Sequence, residues 1–290
     1  MKAFRVLCPL TPLIFMACCP ASALNTLNLA HDPYAQKFLI LAAGEIITTP
    51  PQEYGSKNLE LLNIVADVKV DVEPSGPTTV QLSGSPQRVN DTRISEDGKG
   101  TLVISSKGTP DSTGPLNIQI KAPRGADVGA TSFVGSLSMG NTGGALDLNA
   151  SSVKLVTGRL SKASISVAGN SDINISEIAG QTDLTLHGST TAKLGRLRDF
   201  QSDLSGNADV SVEDMQGICR IKITGAGSVR VAHGIANPFW ANIVGYGSIY
   251  FGGKAVNPHI EGVGSGLVHL NSYSGKLDNQ GMVEVEIGDR

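Results

Sequence analysis

The sequence predicts an all-β fold, a single-stranded parallel β-helix or solenoid with coils of about nineteen residues. Three observations lead there. Glycine returns at a near-constant interval through the second half of the chain. Aliphatic and polar residues alternate around each of those glycines, and aromatic residues make up only 4% of the sequence. That composition suits many short strands separated by tight turns.

The repeat starts near residue 162 and runs through six segments, SISVAGNSDINIS, DLTLHGSTTAKLG, SDLSGNADVSVE, IKITGAGSVRVA, NIVGYGSIYFGG and EGVGSGLVHLN. Aligned, they place Gly169, Gly188, Gly206, Gly225, Gly245 and Gly264 in one column, separated by 19, 18, 19, 20 and 19 residues. Four positions later come Ile173, Ala192, Val210, Val229, Ile249 and Val268. Two further on come Ile175, Leu194, Val212, Val231, Phe251 and Leu270, and Val167, Leu186, Leu204, Ile223 and Ile243 precede the turn, with Gly262 breaking that column. Between the aliphatic columns lies a polar one. This is period-two alternation, one set inward and the other outward on a strand. No repeat has an apolar face able to stand alone, so each must stack on the last and close a continuous core. The glycine sits between two strands, where the turn calls for positive φ or close backbone approach. A weaker third strand is expected to carry Ile178, Leu197, Met215 and Ile235 inward. The hand of the helix stays open, and an antiparallel sandwich is the competing architecture.

Around residues 136–156 the pattern degenerates but persists, so regular coils are expected over 136–290, with MVEVEIGDR as the last strand. Residues 61–135 read as alternating strands broken by Pro/Gly and Asp-Gly turns, either first irregular coils or a small sheet over the near end. Residues 24–60 read as a cap or linker, with a short helix in HDPYAQKFLILAAGE, or as an exported tail. Residues 1–23 combine Lys2 and Arg5, a short apolar run and Ala21-Ser22-Ala23, the pattern of a signal peptide. Export to the periplasm, cell surface or medium is therefore expected, and the mature chain holds no run long enough to be a membrane-spanning helix. Cleavage removes two basic residues and moves the formal charge from −3 to −5. No basic block remains to suit nucleic acid. Three of the four cysteines leave with the signal, so Cys219 has no disulfide partner within the chain and reads as a small buried residue.

The outward columns are where chemistry would show. Asp203 and Lys222 are expected to pair across adjacent coils. Asp172 and Asp209 share a column with Thr191 between them, about 9–10 Å apart at ordinary strand spacing, which leaves a polysaccharide hydrolase or lyase as the alternative function. The turns carry too few carboxylates to collect a calcium shell. No phosphate loop, dinucleotide fingerprint, HExxH, CxxC or nucleophile elbow is present, so no cofactor, metal or catalytic residue is assigned. The candidate binding surface is Arg230, Tyr250 and His269 on consecutive coils, with Tyr246 at the adjacent turn and Trp240, the only tryptophan, in the same coil. Exposed rings on a rigid surface stack on sugars or anchor proteins; alternatively, Trp240 and Phe239 fold inward. An extracellular glycan, a protein or a second copy of the chain are the candidate partners.

The segments ITGAGSVRV, VGYGSIYF and VGSGLVHL, together with VADVKVDVEPSGPTTVQLSG and TLVISS, resemble the family of "putative auto-transporter adhesins" with a head GIN domain, a domain of unknown function. The likeness covers roughly residues 60–275. It implies an exported bacterial β-solenoid and brings no catalytic residues with it. The glycine-rich core decays to HGST at 187–190 and SGNAD at 205–209. No stretch after residue 275 could build the barrel that "auto-transporter" suggests.

Overall fold

A computed structural model describes residues 46–107 and 114–288. The expected signal peptide and the helix in HDPYAQKFLILAAGE lie outside the described residues.

The chain forms a β-solenoid of about eight turns. Its regular part comprises β-strands that wrap the coil corners almost without a break. Numbered in chain order after eight earlier strands, these are β9 (Val128–Met139), β10 (Ala145–Leu160), β11 (Lys162–Val167), β12 (Ser171–Gly188), β13 (Thr190–Gly206) and β14 (Asp209–Gly225). They continue as β15 (Ser228–Gly245), β16 (Ser248–Val256), β17 (His259–Gly264), β18 (Leu267–Ser274), β19 (Asp278–Gly281) and β20 (Glu284–Ile287). Each pairs in parallel with the coil below, as Ile173↔Ala192, Ala192↔Val210, Val210↔Val229, Val229↔Ile249 and Ile249↔Val268. All six of these residues are buried. At roughly 25 cal/mol per Å² of apolar surface, each large aliphatic member contributes about 1.5–3 kcal/mol. No coil obtains that burial alone.

The near end is built differently. The strands β1 (Ile47–Thr48), β2 (Gln52–Tyr54), β3 (Asn58–Leu62), β4 (Val65–Glu73) and β5 (Thr78–Gly84) precede the short helix α1 (Pro86–Asp91). After it come β6 (Thr92–Glu96), β7 (Thr101–Ser106) and β8 (Leu116–Pro123). β3 and β4 form a coil that lies between β7–β8 on one side and β9 on the other, all in parallel. Chain order and stacking order therefore differ here. β5 then runs antiparallel to β8, β6 antiparallel to β7, and β1 and β2 antiparallel to β5. These strands cover the edge of the end coil, which would otherwise template pairing with another chain. The same sheet continues through residue 135 without interruption.

Two sequence details change on folding. Ile178, Leu197 and Met215 are buried, but Ile235 is 46% exposed. Met215 falls opposite Gly234, nine residues after the turn glycine in each coil, so Ile235, one position further on, is paired with Gln216 on the outside. Ala236 takes the inward place. The break at Gly262 also has a cause: a Cβ there would lie 2.3 Å from Cγ2 of Val283, so the last coil's valine fills the space that a side chain would have used. Cys219 lies between Phe200 and Phe239 on the stacked coils and is fully buried, and that burial pushes its thiol pKa up, away from reactivity.

In the glycine column, Gly188, Gly206, Gly225, Gly245 and Gly264 hold φ between +104° and +121°, whereas Gly169 does not enter the left-handed region. A Cβ on Gly245 would also approach the Gly225 carbonyl oxygen to 2.7 Å. Gly245→Ala should therefore cost about 1–3 kcal/mol. An unchanged denaturant midpoint, measured by circular dichroism, would refute that account of the turn.

Candidate functional site

In-register stacking turns every outward position into a ladder along the solenoid. One ladder runs Asn174–Lys193–Ser211–Arg230–Tyr250–His269–Glu286. The Arg230 guanidinium carbon sits 4.2 Å from the centre of the Tyr250 ring. The Tyr250 and His269 rings stack with centroids 4.8 Å apart and planes within 2°, the separation that parallel coils impose. His269 Nδ1 is 3.3 Å from Glu286 Oε2. The column is thus cation, ring, ring and carboxylate in succession. His269, although outward, is only 3% exposed, and its Nε2 has no hydrogen-bond partner among the described residues.

Beside the lower part of this ladder lies an open groove of about 480 Å³, lined among others by Lys193, Glu213 and Arg230. Its floor follows from the next outward positions along the same strands, where Ser176, Gly195 and Ala232 are small and leave the long side chains of Lys193 and Arg230 standing as a wall.

The strand before the glycine turn carries a second ladder, Asp183–Gln201–Arg220–Trp240–His259–Asp278. His259 is clamped from both sides, with Nδ1 3.1 Å from Asp278 and Nε2 2.6 Å from Glu261. The hydrogen bond with Glu261, more than that with Asp278, holds the imidazole pKa above its ordinary value. Asp278 is held below the usual carboxylate range by hydrogen bonds from Gln280 and then His259.

The family model described as "Putative auto-transporter adhesin, head GIN domain" matches residues 59–255. The chain belongs to this family. Solved structures similar to this head GIN protein include a "putative adhesin" from Parabacteroides distasonis, at 15% identity and a TM-score of 0.44, covering 84% of this chain and 97% of that one. A "putative adhesin" from Parabacteroides merdae is 14% identical with a TM-score of 0.46, over 83% of this chain and 96% of that one. A "putative cell adhesion protein" from Clostridium sporogenes is 12% identical with a TM-score of 0.25, over 85% and 100%. No curated protein matches the chain.

The residues singled out in the sequence do not form one patch in the head GIN protein. Arg230, Tyr250 and His269 come together. Trp240 does not join them: the corner within β15 divides it from Arg230, the turn at Gly245 divides it from Tyr250, and its register places it between Arg220 and His259. Tyr246 projects from that turn and is 77% exposed, in neither ladder. Phe239, beside Trp240, is the ring that folds inward, packed 5.3 Å from Phe251. Asp203 and Lys222 pair at 2.8 Å. Asp172 and Asp209 are held apart by Thr191, and Asp209 accepts a hydrogen bond from Ser228 Oγ at 2.5 Å. No group of three or more metal-ligating side chains occurs among the described residues.

Two features escaped the sequence reading. The column Arg220–Trp240–His259–Asp278 is one, although Arg220, Trp240 and His259 stand five residues before Gly225, Gly245 and Gly264, at the repeat interval. A ladder Arg159–Glu177–Arg196–Asp214–His233 on the third strand alternates in charge, with Glu177 bridging Arg159 at 3.5 Å and Arg196 at 3.1 Å. Its members from Glu177 to His233 stand eight residues after Gly169, Gly188, Gly206 and Gly225, at the repeat interval. Such exposed pairs contribute up to about 1 kcal/mol each.

A pH effect follows from His259. Its folded pKa lies above the unfolded value, so its contribution to stability is complete below about pH 6.5 and is lost as pH rises through the raised folded value. The groups that face it are Glu261, Asp278 and, through Asp278, Gln280 and Lys276. Amide exchange in β17 and β19 should therefore quicken, relative to the core, as pH rises above about 6.5, after correction for intrinsic rates. His259→Gln should remove that difference, and a variant with the same pH profile as the parent would show the clamp to be inert.

Proposed function

We propose that this head GIN protein is an exported, non-catalytic binding module that holds an extracellular carbohydrate or protein against the outward face of its solenoid. The observation that carries this reading is the Arg230–Tyr250–His269–Glu286 stack beside the Lys193–Arg230 groove. Each ring is fixed by the neighbours above and below it, so little rotamer freedom remains to be lost on binding, a cost of about 0.5–1.5 kcal/mol for each mobile side chain. Rigid aromatic surface of this kind anchors sugars and protein partners alike. The adhesin description of the family supports the same reading. So do the leader-like first 23 residues and the lack, among the described residues, of a helix long and apolar enough to cross a membrane.

The test is binding of the purified protein to glycan arrays and to intact cells. Arg230→Ala lies on the surface and should leave the melting temperature nearly unchanged, whereas Tyr250→Ala also removes the ring stacked on His269 and should lower it by a few degrees without unfolding the protein. Each should weaken binding about tenfold, equivalent to about 1.4 kcal/mol and within reach of a lost stacking or cation–π contact. Full binding by both variants would exclude this face.

A further inference from the structure

A second site lies on the strand before the glycine turn. A cavity of about 290 Å³ is lined by Arg220, Pro238, Trp240, Asn257 and His259 over the buried Phe239. A neighbouring cavity of about 200 Å³ is lined by Gln181, Asp199, Gln201 and Arg220, among others. Arg220 borders both. We propose that these two cavities are consecutive subsites for an acidic polysaccharide, with a uronic acid ring stacked on Trp240 and its carboxylate held by Arg220.

The chemistry of the walls selects that class. Arg220 is exposed and has no carboxylate within pairing distance among the described residues, whereas Lys222, two positions along the same strand, is engaged by Asp203. A guanidinium left open beside an aromatic face suits a planar carboxylate attached to a ring, through two parallel hydrogen bonds. Trp240 is partly buried, and the fully buried Phe239 beside it packs on Phe251. Its strand neighbours are thereby fixed, and the indole is a firm platform. The nearby carboxylates are already occupied: Asp278 and Glu261 hold His259, and Asp199 accepts the Ile218 amide at 2.9 Å. They leave Arg220 unpaired, and Asp199, which shares the smaller cavity with it, disfavours a doubly charged phosphate more than a single carboxylate.

Size and direction agree. The larger cavity is at the small end of the range for ligand sites, about 300–1,000 Å³, and suits one sugar unit with its neighbour reaching past Arg220. Gln181, Gln201, Arg220, Trp240 and His259 lie on successive coils, so a bound chain would run along the solenoid. The extra residue in the coil between Gly225 and Gly245, with the register shift between Gly217 and Cys219, opens this corner.

This inference rests on the protein being a binding module, but it uses a strand other than the one that carries Tyr250. Trp240 is the only tryptophan, so its fluorescence reports this site directly. Titration with trigalacturonic acid should give a saturable change in emission. The fully methyl-esterified trimer should bind at least tenfold more weakly, and Arg220→Gln should reduce affinity for the acid by a similar factor, checked by calorimetry. Lys99→Gln, exposed in the turn between β6 and β7 and outside both ladders, should leave the titration unchanged. The proposal is overturned by no response up to millimolar trimer, by equal responses to acid and ester, or by an unaffected Arg220→Gln variant. It is also overturned if inorganic phosphate or sulfate displaces the trimer at equal concentration, which would mark a bare anion site. Failure here with binding still lost in Tyr250→Ala removes this site alone; failure here together with no binding of the parent protein to glycans or cells removes the binding-module reading.

Discussion

Register is the constraint from which the rest of this structure follows. Each coil offers its backbone N–H and C=O groups to the next, and the parallel ladders match equivalent residues from coil to coil over most of the chain. Once that match is set, inward positions can meet only inward positions. Val210 must rest on Ala192 and beneath Val229. A slip of one residue would expose the whole set, so hydrogen bonding and burial reinforce a single arrangement.

The outside obeys the same rule. Side chains eighteen to twenty residues apart become neighbours, which is why the ion pairs Asp203–Lys222 and Glu177–Arg196 and the stack of Arg230, Tyr250 and His269 all run along the solenoid. Sites on such a surface are columns or the troughs between them. Their rigidity comes from the backbone spacing, and their chemistry changes coil by coil as the column's residues change. The two ladders flanking the Gly245 turn show both possibilities, one stacked shut at His269 and the other opened at Trp240 by an added residue.

The aliphatic columns and the glycine interval were legible because the coils from residue 162 onward keep nearly one length. Legibility failed where length or order changed. Ile235 looked inward, but the position opposite Met215 is Gly234, and Ile235 stands one residue past it beside Gln216. Trp240 and Tyr250 are ten residues apart and looked like one patch, but a turn of the backbone divides them. His269 alternates as an outward residue, yet stacking between Tyr250 and Glu286 nearly closes it off. At the near end, β3–β4 inserts between β7–β8 and β9, a stacking order that no linear period could reveal. The alternating Glu177, Arg196 and Asp214 stand eight residues after their turn glycines, a column that the repeat interval already carried.

Cross-linking tests the register most directly. Asp203 and Lys222 face each other on adjoining coils, while Asn242 lies one coil beyond. With cysteines at 203 and 222 in the chain from Leu24 onward, mild oxidation should form a disulfide, because neighbouring strands bring Cα atoms to about 4.8 Å, within the range of about 4.4–6.8 Å that the bond accepts. Cysteines at 203 and 242 should stay reduced. Equal or preferential bridging of the 203 and 242 pair would contradict the stacked-coil account.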